Sequence, residues 1–507
     1  MNCIAVVIRN SSRIGCRFQH HWVKPKGFDT GVKVYNCTTK QKEPLIIRNK
    51  NYLTWYTCGP TVYDSSHIGH ASCYVKLDII QRILKDYFKY NVVTVMNITD
   101  IDDKIIRRAN QENVSYADVA KKYEEEFWSE LCDLGVTEPN VVLRVTENME
   151  SIVSFIEKLV DENKAYKASD NSVYFSVDTC KAYGKLQNIG KNDKQKSSVK
   201  RSVLDFALWK HSEDEPHWNS PWGKGRPGWH IECSALASKA IGSAIDIHAG
   251  GIDLRFPHHE NEEAQSCGFH NTSQWVNYWI HTGYLHKKHS EKMSKSLRNT
   301  VLIQDMLQET TADAFRMACI LSKYRSNMEF SKDMLKTAEN VYGVFKNFIT
   351  TCDDFKSQYL KATINHEHLI AALNKCAEDI HSALCDDFDT PLVMKHLNEL
   401  ISTTNSMLHT TSTSGHEAMD FSSVSAVQNF VMTILSTFGV NFRSSSSSSQ
   451  DFGKIVDILN EFRQSVRITG IEKRDKEILS LCDHVRDSLK RHGIIIRDHG
   501  KQSSWSN

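Results

Sequence analysis

"YLTWYTCGPTVYDSSHIGH", Tyr52–His70, decides the fold class. Its first eight residues are β-branched and aromatic and close on glycine, which reads as a buried strand. The chain continues as "HASCYVKLDIIQRILKDYF", where Val75, Ile79, Ile80, Ile83 and Leu84 recur with the period of one helix face. "NVVTVMNIT", 91–99, is a second strand. Strand, loop, helix and strand open a doubly wound α/β unit, and such sheets bind ligands outside the C-terminal ends of their strands. Where loop meets helix lies "HIGH", 67–70. His67 and His70 flank Gly69 at a point where backbone can approach a ligand, at a helix N-terminus that favours anionic phosphate. Four residues alone are a weak signal, and a pair of satisfied surface histidines fits them better.

The bulk numbers set outer bounds. A chain of 507 residues exceeds one ordinary core, so two to four domains are expected. It is 40% hydrophobic and 24% charged, the composition of a globular protein, and no apolar run approaches the ~20 residues of a membrane span. With a formal charge of only +1, any nucleic-acid partner must be met by a local basic face. The 14 cysteines are scattered without a CxxC pair, so a reducing compartment and mostly buried, apolar cysteines are expected. Residues 1–28 carry Arg9, Arg13, Arg17, Lys24 and Lys26 and no acid, the pattern of a mitochondrial transit peptide. Its removal would take the formal charge to about −4. A basic tail on a cytosolic protein is the alternative.

Beyond the opening unit, 103–170 reads as mostly helical and 190–202 as a Lys-rich surface loop. Short strands and Gly-rich turns return over 204–300, and successive helices follow from 303 to about 440. The serine run Ser444–Ser449 is a linker to a small, largely helical module over 451–507.

Two further stretches bear chemistry. "KMSKS", 292–296, follows a late strand; Lys292 and Lys295 suit a mobile loop gripping a polyphosphate, although a solvated loop reads the same way. "RFPHHENEEAQSC", 255–267, places His258 and Glu262 four residues apart, on one face if helical. A metal site and a solvated polar turn remain about equally compatible with that spacing.

HIGH and KMSKS together are the two nucleotide-handling signatures of class I aminoacyl-tRNA synthetases. From about residue 33 onward the chain resembles the cysteinyl-tRNA synthetase family. "YTCGPTVYDSSHIGH", "NITDIDDKII", "DFALWK", "PWGKGRPGWHIECSA", "FPHHENE", "EKMSKS" and the tail "RDSLKRHGIIIRD" all match its motifs. The resemblance implies an α/β fold: a Rossmann-like catalytic domain over 33–302 with a connective insertion at about 105–203. An α-helical tRNA-binding bundle over 303–443, a linker at 444–450 and an anticodon-region module over 451–507 complete it. It further implies L-cysteine, ATP and tRNA(Cys) as partners, with no membrane and no DNA. The Arg-rich start points to the mitochondrial form and the matrix, with the cytoplasm as the alternative.

Residue by residue, the resemblance implies one zinc ion held by Cys58, Cys233, His258 and Glu262. Cysteine and serine differ by one atom, and a hydrophobic pocket separates such pairs by only ~1–3 kcal/mol. Zinc prefers thiolate to hydroxyl, so it would serve as a specificity element. Gly59, Thr99, Trp229, Asp253 and His258 match positions lining the cysteine pocket, with Asp253 facing the substrate ammonium. His67, Gly69, His70 and Lys295 match ATP contacts. The implied reaction forms cysteinyl-adenylate, with His67 and His70 stabilising the developing charge, Lys292 and Lys295 holding pyrophosphate and Mg²⁺ accompanying ATP.

Ala249, Ile252 and Arg298 depart from the family pattern. "KIIR", Lys104–Arg107, keeps one of two lysines tied in the family to a pyridoxal phosphate-dependent persulfide activity. Two rivals are a cysteine-activating ligase with a small amine acceptor and a catalytically silent tRNA-binding zinc protein. The region beyond 303 argues against the first, and intact motifs against the second.

Overall fold

The computed structural model describes residues 22–187, 199–287, 301–360, 362–409, 421–442, 449–499 and 502–506. The contacts divide the chain into two units, 1–440 and 441–507.

The first unit opens with a hairpin, β1 (Phe28–Asn36) and β2 (Gln41–Ile47). Next come β3 (Leu53–Thr57), α1 (Ile68–Arg82) with a π-helical extension over Ile83–Tyr87, and β4 (Val92–Ile98). Helices α2 (Asp103–Glu112) and α3 (Tyr116–Asp133) lead to β5 (Val141–Arg144), then to α4 (Met149–Asp161). A small antiparallel sheet follows, built of β6 (Ala165–Lys167), β7 (Val173–Phe175), β8 (Phe206–His211) and β9 (Gly225–Pro227). The chain re-enters the main sheet through α5 (Trp229–Ile241), β10 (Ile245–Gly251), α6 (Glu260–His270) and β11 (Val276–Thr282).

The main sheet is parallel throughout, in the order β11-β10-β3-β4-β5. All five residues of β3 and all seven of β11 are buried, as strands covered on both faces must be. From β3 the chain moves first to one side, through β4, and later to the other, through β10. The order therefore reverses between β3 and β10, and the crevice beyond their C-terminal ends is where such a sheet binds ligands. Cys58 and Gly59 follow β3 there, and Ile252–His259 follow β10.

After β11 a short strand, β12 (Leu285–Lys287), pairs in parallel with β13 (Met328–Phe330). Between them lie α7 (Ile303–Glu309) and α8 (Ala312–Ile320). Four longer helices follow: α9 (Lys332–Lys356), α10 (His366–Cys385), α11 (Thr390–Leu408) and α12 (Phe421–Thr437). Arg316 on α8, 1% exposed, ties this region to the sheet's own helices. It donates to Asp78 Oδ2 of α1 (2.6 Å), to the carbonyls of Leu134 (3.0 Å) and Gly135 (2.8 Å) after α3, and to Phe438 O (3.1 Å) after α12. Burial alone would raise the Asp78 carboxyl, but Arg316 and Arg82 beside it hold it below its ordinary value.

The α10–α11 turn is a second anchor. Asp387 and Phe388 are successive non-glycine residues with φ +66° and +54°, a conformation a side chain adopts only when contacts enforce it. Asp387 supplies those contacts, accepting from Tyr35 N, Tyr324 Oη and Arg325 Nε, each at 2.8 Å. Trp22 and Val23, inside the segment read from sequence as a leader, also join the fold. Trp22 Nε1 donates to Asn277 O (2.8 Å) and Val23 N to Gln274 Oε1 (2.9 Å).

The second unit consists of α13 (Ser449–Lys473), α14 (Lys476–Lys490) and a hairpin of β14 (Ile495–His499) and β15 (Gln502–Ser506). Arg463, 2% exposed, pins the hairpin through both oxygens of Asp498 (2.8 and 2.9 Å). Among the described residues, no helix is long and apolar enough to cross a membrane.

Candidate metal centre and nucleotide crevice

Four side chains from three parts of the chain meet below the crevice. Cys58 (5% exposed) follows β3, Cys233 (1%) lies on α5, His258 (1%) ends the β10–α6 connection and Glu262 (0%) lies in the first turn of α6. Both cysteines belong to the apolar cluster of Tyr56, Val95, Ala237, Ile245, Trp275 and Trp279, which shuts water out beneath them. Helix α5 can start where it does because Gly228 precedes it: a Cβ there would stand 2.0 Å from Ala207 O. His258 does not share a continuous α-helix with Glu262. Residues 255–259 form a π-helical turn, broken at Phe256 (φ −143°), and α6 begins only at Glu260.

The donor atoms of these four residues all lie within 4.8 Å of one another. Cys58 Sγ is 3.3 Å from Glu262 Oε1 and 3.5 Å from His258 Nε2, and the latter two are 3.0 Å apart. Tetrahedral ligands at ~2.0–2.3 Å from one ion stand roughly 3.3–3.8 Å from each other, so this spacing and the S₂NO donor set fit zinc. The remote nitrogen of His258 is held by His230, Nδ1 to Nδ1 at 2.8 Å, as ligand histidines usually are. Burial disfavours a charged His258, yet the adjacent Glu262 carboxylate outweighs it and lifts the imidazole to about 10. Burial likewise opposes a charged Glu262, and His248 and His258 overcome it, keeping the carboxyl well below its ordinary range. The Cys58 thiol is pushed up, first by burial and then by Cys233 and Glu262. The cluster thus brings an imidazole, a carboxylate and two cysteine sulfurs together in a water-poor setting, where a thiophilic cation would favour the thiolates.

A second group of donors, Cys58, His248, His259 and Glu262, also lies within 4.8 Å and shares two members with the first. Neither His248 nor His259 is apparent from sequence as a candidate ligand. His259 and the two acids Glu260 and Glu263 are not surface groups, as one sequence reading allowed; they are 0%, 1% and 3% exposed. Glu260 accepts the backbone N–H of Gly184 (2.7 Å), Lys185 (3.1 Å) and Leu186 (2.7 Å). Glu263 accepts those of Trp275 and Val276, both at 3.2 Å, and pairs with Lys185.

The HIGH segment sits at the start of α1. His67 is the N-cap: its Nδ1 accepts from Gly69 N (3.1 Å), and its own N–H donates to His70 Nδ1 (3.3 Å). The two rings stack with centroids 3.9 Å apart. Glycine at 69 leaves room for the His67 ring, since a Cβ would lie 2.8 Å from it and would have to displace it. The chain returns directly to this point after 300: Ile68 N donates to Val301 O (3.0 Å) and Ile303 N to Ser66 O (3.2 Å). Lys292, Lys295 and Arg298 lie outside the described residues.

Comparison with known proteins settles the family. Residues 45–340 match the model for the tRNA synthetases class I (C) catalytic domain. The chain is 39% identical to a probable mitochondrial cysteine--tRNA ligase of Xenopus tropicalis, with 98% of this chain and 92% of that one aligned. It is 40% identical to the cytoplasmic cysteine--tRNA ligase of Dictyostelium discoideum, over 94% of this chain and 78% of that one. The chain belongs to the cysteinyl-tRNA synthetase family. Among solved structures, a Mycobacterium tuberculosis methionyl-tRNA synthetase in complex with methionyl-adenylate superposes with a TM-score of 0.55 at 12% identity, over 76% of this chain and 90% of that one, a likeness of fold.

As a cysteinyl-tRNA synthetase family member, the chain has its expected pocket residues in different settings. Gly59 adjoins Cys58, and a Cβ on it would fall 1.7 Å from Asn97 O, so nothing larger fits. Thr99, 1% exposed, donates to Glu232 Oε2 of α5 (2.8 Å). Trp229 is 40% exposed, so it is not plain core; its ring lies 4.2 Å from that of His258. Asp253 is exposed in the single turn after β10. Lys104 is exposed in the first turn of α2, near the Tyr63 ring. Asn97 escaped the sequence reading, yet its Oδ1 accepts from Gly59 N (3.1 Å) and lies 3.5 Å from Cys233 Sγ. Glu232 escaped it too; the only signal was its place next to Cys233.

Proposed function

We propose that this chain ligates L-cysteine to tRNA(Cys) at the expense of ATP, in two steps through cysteinyl-adenylate, for mitochondrial protein synthesis. The observation that carries the reading is the buried cluster of Cys58, Cys233, His258 and Glu262, whose Cys58 follows the same strand, β3, as the HIGH turn at the start of α1. A zinc ion held by these four residues would take the substrate thiol as a ligand in preference to a hydroxyl. Trp229 walls the pocket beside His258, Gly59 and Thr99 bound it, and Asp253 pairs with the substrate ammonium. His67 and His70 stabilise charge growing on the α-phosphate as the carboxylate attacks in line. Lys292 and Lys295 hold the departing pyrophosphate, with Mg²⁺ accompanying ATP. No side-chain nucleophile is needed, and positioning does most of the catalysis. The helices over 303–443 and the module over 451–507 would carry tRNA. A leader cleaved before Trp22 would leave the contacts of Trp22 and Val23 intact and deliver the enzyme to the matrix.

Cysteine-dependent ATP–pyrophosphate exchange tests the reading. Exchange is expected in the metal-loaded protein, lost on chelation and restored by zinc. No exchange at all would refute the enzyme, and exchange without charging of tRNA(Cys) would favour a small-acceptor ligase. Gly69→Ala checks the nucleotide side: the new methyl displaces the His67 ring, and the exchange rate is expected to fall about tenfold or more with bound metal unchanged. An unaltered rate would show that the His67 ring does not need its present position.

A further inference from the structure

We propose that Lys76 serves nucleotide binding as a buried positive charge, acting through space, with the phosphate chain of ATP as its counter-ion. The inference rests on the reading above, which brings ATP to the HIGH end of the same helix, α1.

Lys76 is 1% exposed. Its hydrogen bond is a long one, from Nζ to Ser326 O at 3.4 Å, and among the described residues no carboxylate stands within ion-pair distance of it. An ammonium without a partner is among the costliest groups to bury. Arg316, Lys185 and Arg463 are buried as well, and each has its carboxylate: Asp78, Glu263 and Asp498. Lys76 is the exception, and the fold gains nothing evident from it.

The ammonium lies at the crevice end of the sheet. Ser326 O packs against Gly283, the first residue past β11, so closely that a Cβ there would lie 2.3 Å from it. The Cα of Lys76 stands about 9 Å beyond that of His70 along α1, and a long helical side chain leans back toward the helix N-terminus. The charge is thereby carried up toward the HIGH turn.

Polar groups gather round it from α1, β11 and α8. Ser72 and Lys76 share one face of α1. Thr282 ends β11 and is paired with Gly251, the end of β10. Ser72 Oγ and Thr282 Oγ1 are both buried without a hydrogen-bond partner. Cys319 of α8 stands beside Ser72, and Cys73 beside Thr282. Burial pulls Lys76 below its ordinary pKa, and these two thiols only partly oppose it. A polyanion above this place would hold the proton on the lysine, and in so water-poor a setting the attraction reaches further than in solvent. Of the two small substrates, ATP brings the negative charge.

Lys76→Met is the test, since methionine keeps most of the stem and removes the charge. Full-length wild type and variant are compared by thermal unfolding without nucleotide, and by equilibrium binding of ATP and of adenosine. The variant is expected to unfold at a higher temperature, because an unpaired charge has left the core. It should bind ATP about tenfold more weakly and adenosine as before. Lys76→Gln, which keeps an N–H for Ser326 O, should bind ATP as weakly as the methionine variant. Unchanged ATP affinity in Lys76→Met overturns the proposal. So does an equal loss for ATP and adenosine, or full recovery in Lys76→Gln, since either would make Lys76 a packing or hydrogen-bonding residue. A variant that unfolds earlier than wild type, or fails to fold, overturns it too, by showing that Lys76 serves the fold. A wild type that binds ATP but catalyses no cysteine-dependent exchange refutes the enzyme reading alone, and one that binds no ATP refutes both.

Discussion

Cys233→Ser is expected to strip the protein of its metal and to raise the KM for cysteine at least about a hundredfold, with the KM for ATP nearly unchanged. The asymmetry follows from geometry. Cys233 is 1% exposed and contributes one of only two sulfurs to the donor set, whereas the residues proposed to meet ATP gather at the N-cap of α1. A serine hydroxyl in that buried place ionises far less readily than a thiol and is a harder donor. It would be left with Asn97, whose Oδ1 lies 3.5 Å from the present sulfur. The check is bound zinc per chain together with pyrophosphate exchange across a range of cysteine concentrations. Wild-type cysteine kinetics in a metal-free variant would refute the metal's part in recognising the amino acid. Equal losses for cysteine and ATP would mean that the substitution had disturbed the whole crevice.

The second large effect is on stability. Arg316→Met is expected to destabilise the first unit by about 3–5 kcal/mol. The guanidinium satisfies Asp78 and three carbonyls at once, in a position 1% exposed. Methionine fills a similar volume but leaves Asp78, itself 1% exposed, with Arg82 and Thr137 N as its remaining partners. Adding Asp78→Asn to the same chain should recover part of the loss, because the stranded charge goes with it. Urea unfolding followed by tryptophan fluorescence measures both variants. A loss under 1 kcal/mol for the single substitution would show that water reaches these groups.

Much of the fold was legible because its signals are local. Leu53–Thr57 and Val92–Ile98 read as strands from their β-branched and aromatic residues, and α1 from its apolar period. The ending of the chain was less so: Ile495–Ser506 is a hairpin inside a module read as helical, held by contacts from Arg463 and Trp505 that no local pattern announces. Among site residues, the four ligand candidates were found because long motifs carry them, and their spacing alone left a solvated turn in play. His248 and His281 gave no such signal, since a histidine in an apolar strand looks the same whether it backs a ligand or fills a core; His230 and His259 stand inside those motifs, but nothing local shows that they back the ligands. Asn97 and Glu232 act through neighbours that come close only when β4 and α5 pack together.

The capping of α1 by its own HIGH residues fixes where two protons reside. Nδ1 of His67 and Nδ1 of His70 each accept a backbone N–H, so in each neutral ring the hydrogen belongs to Nε2. Both imidazoles are therefore locked in one tautomer and offer N–H groups without first taking up a proton. The rate of adenylate formation should then show no decline as pH rises through the range where free histidine loses its charge. A helix cap thereby keeps two N–H donors available, for the phosphate role proposed above, in alkaline as well as neutral surroundings.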